Sequence, residues 1–214
     1  MMSFIPQTIL DYAEKHTEEE PKILQKLRKE TWQKVLAPRM LSGHLQGRLL
    51  AMISQIVRPK IILEIGTYTG YATICLAEGL ADNGRIHTID INEELIEIQK
   101  KYFRKVGYEN QIVQHTGNAL HIIPQINAKF DLVFIDADKT NYSQYFDQVV
   151  EKMNKGGIIL SDNVLWSGKV LVQPDQSDME TKEIIDYNSK LKADKRIETL
   201  LLPIRDGISI ARKL

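Results

Sequence analysis

The chain has 214 residues, enough for one domain with its own core, and 43% are hydrophobic against 26% charged, the balance of a folded globular protein. Its 28 Lys and Arg cancel its 28 Asp and Glu, which excludes a global pull toward nucleic acid or membrane but leaves a local patch open. The single cysteine, Cys75, excludes an internal disulfide, no apolar run reaches spanning length, and MMSFIPQTILDYAEKHTEEE lacks a signal-peptide core, so a cytoplasmic protein is expected.

No repeat or linker divides the chain, so residues 1–214 are expected to form one domain. Its first 57 residues read as helical. Thr17-Glu18-Glu19-Glu20 before Pro21 suits a helix start, and apolar residues recur at helical spacing to about Leu36. A break follows at Ala37-Pro38, and Ser42 is placed to cap a helix running to about Val57. From Lys60 onward the pattern predicts strands over 61–65, 85–89, 111–115, 131–135, 157–161, 197–202 and 208–212. Helices are predicted between them over 71–81, 93–106, 119–126, 142–153 and 181–192. Such alternation implies an α/β fold with a parallel sheet covered by helices on both faces. Between the last two strands only Pro203-Ile204-Arg205-Asp206-Gly207 intervenes, too short for a crossover, so an antiparallel hairpin is expected there. A seven-stranded sheet closed this way resembles the Rossmann-like sheet of S-adenosylmethionine-dependent methyltransferases.

Ligands of open α/β sheets sit beyond the carboxyl ends of the strands. The first predicted strand runs into Glu64-Ile65-Gly66-Thr67-Tyr68-Thr69-Gly70, where glycines permit a tight turn and close approach of a ligand. The spacing is not Gly-x-Gly-x-x-Gly, and an acid before the first glycine suits a bound cation better than a diphosphate. A tight strand–helix turn with no ligand explains the same residues. Asp90 ends the second strand, placed either to accept from ribose hydroxyls or to cap the following helix. Gly117-Asn118-Ala119 leaves room for a flat ring. The fourth and fifth strands end at Asp136-Ala137-Asp138-Lys139 and Asp162-Asn163. Neighbouring strand ends would put Asp136, Asp162 and Asn163 on one rim, an all-oxygen set suited to a hard cation such as Mg²⁺, Mn²⁺ or Ca²⁺. Without a cation the two acids would repel and raise one pKa, or cap the helices that follow. Lys139 beside a cation is placed to act as a general base; a solvated surface lysine is the alternative. The five histidines look scattered, with no ligand cluster.

LEIGTYTGYAT, HTIDIN, FDLVFIDADKTNY, GGIILSDNVLWSGKV and LPIRDGISIARK together resemble the metal-dependent O-methyltransferases of the caffeoyl-CoA and catechol kind. The resemblance runs from about Met40 to the C-terminus. It implies that Glu64, Gly66, Thr67, Asp90, Ala119 and Asp138 contact S-adenosylmethionine, with Ser42 on an N-terminal lid. It likewise implies that Asp136, Asp162 and Asn163 hold the metal, that Lys139 is the base, and that the enzyme is a homodimer. Two departures stand out: Ala72 where the family often has serine, and Ser167 where plant members have asparagine. The implied substrate is a small vicinal diol. The alternative is 5-hydroxyuridine in transfer RNA, for which Lys22, Lys26, Arg28, Lys29 and Lys34 offer a basic stretch. An NAD-dependent oxidoreductase and a non-catalytic binding protein are the rival classes. No membrane partner is expected.

Overall fold

Strand direction in this fold follows from the connections. The computed structural model describes residues 5–214. Its strands are β1 (Ile61–Ile65), β2 (Arg85–Asp90), β3 (Ile112–Thr116), β4 (Phe130–Ile135), β5 (Met153–Asp162), β6 (Ile197–Leu202) and β7 (Ile208–Lys213). They form one sheet in the order β3-β2-β1-β4-β5-β7-β6. Helical crossovers make β1 to β5 parallel, whereas the short connection between β6 and β7 forces a hairpin, so β7 pairs antiparallel with both β5 and β6. The strand order reverses between β1 and β4, and that switch point opens the crevice where such sheets bind ligands.

Both faces of the sheet are covered, so β1 and β4 are almost continuously apolar and buried. On one face lie α2 (Lys22–Lys34), α3 (His44–Val57), α4 (Tyr71–Ala77) and α5 (Ile96–Val106), after α1 (Gln7–Lys15); Leu24, Leu50, Ile74 and Phe103 meet Ile62, Leu132 and Phe134 there. On the other lie α6 (Ala119–Ile122), α7 (Tyr142–Val150) and α8 (Met179–Ala193), whose Tyr142, Phe146 and Tyr187 meet Leu63, Val133 and Ile135. Successive strand residues enter opposite layers, as the two-residue period requires.

The predicted elements are all present, and their boundaries move for local reasons. The first strand and the sixth keep their predicted bounds. The helix predicted over 71–81 ends at Ala77 because Gly79 packs against the Ser54 backbone, with no room for a Cβ. The helix predicted over 142–153 stops at Val150, since Met153 already pairs with Phe130 as the start of β5. Pro124 lacks an N–H, so the segment predicted over 119–126 becomes a single α-turn followed by a 3₁₀ turn. Ser42 is not a helix cap. Gly43 takes that position at φ +80°, with no side-chain cap bond. The helical N-terminal region is three α-helices, with a short 3₁₀ helix over Pro38–Met40 in the link between the second and the third; its residues 1–4 lie outside the described residues. In one link the acidic Glu20 is buried, bonded to Arg28 (2.8 Å) and to the Tyr71 hydroxyl (2.7 Å). Among the described residues no helix is long and apolar enough to cross a membrane.

Gly66 joins the fold to the crevice. Its φ is +100°, and a Cβ there would collide with the Asp136 carbonyl oxygen at the end of β4. Gly66→Ala is therefore expected to cost about 3 kcal/mol or more, combining backbone strain with a clash that backbone cannot relieve. Chemical denaturation of the two proteins measures it.

Candidate active site

The exits of β1, β2, β3 and β4 are laced together by backbone. Gly66 N–H donates to Ile89 O, Asp136 N–H to Ile65 O and Gly117 N–H to Asp90 O, each at 2.9 Å. Above them opens a cleft of about 1270 Å³, walled on the far side by the segment from Lys34 to Ser42. Of the residues singled out in the sequence, Ser42, Gly66, Thr67, Asp90, Ala119, Asp136, Asp138, Lys139, Asp162 and Asn163 all line this cleft. Trp166 and Met40 line it too.

Glu64 does not line it. The side chain is wholly buried beneath the β1 turn, where one oxygen accepts from the Thr73 and Thr88 hydroxyls at 2.5 Å and the other has no partner. Burial, with the charges of Asp90 and Asp136 adding to it, pushes this carboxyl up to about 8. A carboxylate pointing down from a strand packed on both faces is enclosed by its own layer. Thr67, on the cleft wall, reaches the Thr88 hydroxyl through its own.

Asp90 is fixed by backbone: one oxygen accepts from Tyr68 N–H (2.6 Å), the other from Asn92 N–H (2.8 Å). The capping role falls to Asn92, whose side chain accepts from Glu94 N–H. Asn118 caps the following turn in the same way and leaves Ala119 buried at the cleft edge. Asp138 is exposed and held by Asn141 and the Tyr145 hydroxyl.

At the other end of the cleft Asp162 is 3% exposed. Its Oδ2 accepts from Gln46 Nε2 (2.6 Å) and its Oδ1 from the Asn163 N–H (2.8 Å). Burial, and then the charge of Asp136, raise its pKa to about 6. Lys139 is buried as well. Its Nζ lies 3.2 Å from Asp136 Oδ1 and donates to Tyr142 Oη (2.7 Å), which donates to the Asp162 carbonyl (3.0 Å). The same Nζ sits 5.8 Å from the centre of the Trp166 ring. Among the described residues no cluster of three or more His, Cys, Asp or Glu side chains suited to a metal occurs; the predicted set is two carboxylates and an amide. Asn163 adopts φ +61°, a left-handed conformation that asparagine tolerates better than most residues.

Sequence reasoning missed Gln46, Tyr142, Arg205 and the second role of Asp206. Asp206 reads as a turn residue, yet its Oδ1 accepts from Ser167 N–H (2.5 Å) and its carbonyl from Leu165 N–H (2.9 Å), pinning the loop that carries Asn163 and Trp166. Ser167, the departure from the plant pattern, stands at φ +55° in that loop. The other departure, Ala72, is buried on the cleft wall. The histidines are not all scattered: His87 and His115, on neighbouring strands, bring Nδ1 and Nε2 to 3.0 Å. No side-chain period could reveal that pair, because strand register alone creates it.

A family model described as O-methyltransferase matches residues 14–214. The chain belongs to that family. Caffeoyl-CoA O-methyltransferase 1 of Eucalyptus globulus is 35% identical over 179 residues, covering 79% of this chain and 73% of that protein. The crystal structure of an SAH-bound Podospora anserina methyltransferase superposes with a TM-score of 0.89 at 27% identity, covering 100% of this chain and 98% of that one. An SAH complex of the Bacillus cereus O-methyltransferase gives 0.86 at 27% identity and 97% coverage of each chain. The chain is thus an S-adenosylmethionine-dependent O-methyltransferase, and the oxidoreductase alternative falls.

Glu64 gives this protein a pH signature. Its folded pKa is raised, so between about 4.5 and about 8 the folded state holds a proton that the unfolded chain has released. Stability of the ligand-free protein is expected to fall as pH rises through that window. Glu64→Gln should flatten the fall, leaving the smaller contribution of Asp162; melting temperatures across the window measure both.

Proposed function

We propose that this enzyme methylates one hydroxyl of a small vicinal diol, such as a catechol or caffeoyl-type ring, with a divalent cation held by Asp136, Asp162 and Asn163. The observation that carries the reading is the buried carboxylate of Asp162 beside Asp136 at adjacent strand ends, with Lys139 against them. A buried acid whose pKa is raised by burial and by a neighbouring carboxylate forms a site that a cation relieves, and an all-oxygen donor set suits Mg²⁺ or a similar hard ion. When bound, the ion supplies Lewis-acid chemistry that makes a coordinated hydroxyl more acidic, and S-adenosylmethionine supplies the electrophilic methyl group.

The chain's own residues do the rest. Asp90, its oxygens aimed by two backbone amides, is suited to accept from ribose hydroxyls, and Ala119 leaves a flat ring unobstructed. Gly66 keeps the cleft floor free of a side chain, and the partnerless oxygen of Glu64 lies below it. Lys139 Nζ takes the proton from the substrate hydroxyl; Tyr142 Oη, tied to the Asp162 carbonyl, fixes where that nitrogen points. Trp166 and Met40 supply an apolar wall for an aromatic acceptor. Positioning and fixed charge are the protein's main contributions to rate. The exposed Ile9 and Tyr12 of α1 and Met52 and Ile56 of α3 support a homodimer built on the N-terminal helices.

A second reading, methylation of a hydroxyuridine in transfer RNA, is supported by one surface. Lys22, Lys26, Arg28, Lys29 and Lys34 of α2 are exposed beside Lys100, Lys101, Arg104 and Lys105 of α5, and Lys34 and Arg39 reach the cleft mouth. Glu30 dilutes it by pairing with Lys34 and Lys101.

Parallel methyl-transfer assays on catechol, caffeate and bulk transfer RNA decide between the acceptors. Against the accepted substrate, EDTA is expected to reduce turnover to background, and Asp162→Ala to lower kcat/KM roughly 10³-fold; full activity in EDTA would overturn the metal reading. Lys139→Met is expected to lower kcat by roughly 10²–10⁴ with little change in KM, in steady-state kinetics with the metal in excess.

A further inference from the structure

The hairpin turn between β6 and β7 reaches the site in two directions. Asp206 holds the Asn163–Trp166 loop, and its neighbour Arg205 turns the other way, toward α3. Arg205 has φ +52°, a conformation that glycine takes freely and arginine takes only when its surroundings hold it there. What holds it is visible. Its Nη1 donates both to the carbonyl of Ser42 and to Oε1 of Gln46.

Gln46 is wholly buried, and its Nε2 donates to Asp162 Oδ2 at 2.6 Å. This chain of groups has one possible sense. A guanidinium only donates and a carboxylate only accepts, so the amide between them must turn its oxygen to Arg205 and its nitrogen to Asp162. A flipped amide would face donor to donor at one end and oxygen to oxygen at the other. The second oxygen of Asp162 is already held by Asn163 N–H. The carboxylate is therefore fixed on both sides, one of them from a residue far away in sequence. The bond to Ser42 also ties down the segment that walls the cleft.

We propose that Arg205 is a positioning residue: through Gln46 it orients the Asp162 carboxylate for the cation, and through Ser42 it holds the cleft wall in place. The inference rests on the proposed metal role of Asp162. Groups that orient a ligating carboxylate typically change metal affinity by 10–100-fold. The left-handed backbone supplies an unusual control. Arg205→Gly removes the guanidinium and relieves the strain at once, so loss of a mere brace and loss of an orienting group move stability and affinity differently.

Mn²⁺ is titrated calorimetrically into the full-length chain and into Arg205→Gly, Gln46→Leu and the double variant, with melting temperatures recorded for each and tryptic cleavage followed after the exposed Arg39. The expected result is a Kd weakened about tenfold in each single variant and no further in the double variant. Arg205→Gly should keep or raise its melting temperature and be cut faster after Arg39. If the parent chain binds Mn²⁺ and Arg205→Gly binds it equally well, the inference is overturned while the metal reading stands. Additive losses in the double variant, or a melting temperature that falls in step with affinity, overturn it too. No Mn²⁺ binding by the parent chain removes the metal reading and the inference together.

Discussion

Asp162 is a carboxylate that the fold buries next to another carboxylate, and the surroundings are organised around that cost. Moving an ionised acid out of water is unfavourable unless donors or a cation compensate. Here the compensation comes from every side. Gln46 reaches it from α3, the Asn163 amide comes from the next residue, and Lys139 stands by Asp136 with Tyr142 bridging back to the same strand end. The wall segment, the β6–β7 turn and the loop after β5 are all tied, directly or through one intermediary, to this strand end.

The other end of the cleft works by a different economy of means. Backbone amides, not side chains, aim Asp90, and threonine hydroxyls hold Glu64 in a place no solvent reaches. The two ends thus differ in how their acids are set: Asp90 by neighbouring backbone amides, Asp162 by a network that includes side chains from distant elements.

Much of this was legible in the residue pattern because it is local. The strand over 61–65, the closing hairpin and the rim shared by Asp136, Asp162 and Asn163 follow from periodicity, connection length and the rule that ligands sit at strand ends. The helices came out too long wherever packing intervened, as at Gly79, or where a proline removed a donor, as at Pro124. Glu64 looked like a cleft residue, since nearness to a strand's carboxyl end does not say whether a side chain faces the crevice or the layer beneath it. Gln46 and Arg205 were invisible for a stronger reason. Their bond joins residues 159 positions apart, and neither a helical period nor a turn signal says which distant residue a side chain will reach. His87 and His115 meet only through register.

The sheet order has a consequence for how the chain is made. During synthesis β5 emerges well before its partner on the outer side, because β7, which follows β6 in sequence, inserts between β5 and β6. Until then the growing polypeptide carries an open strand edge next to an apolar layer, the kind of surface that invites pairing with another nascent chain. The same late segment brings Asp206 and Arg205. Assembly of the cleft and closure of the sheet are therefore one event, and a half-made chain has neither a finished edge nor a finished pocket.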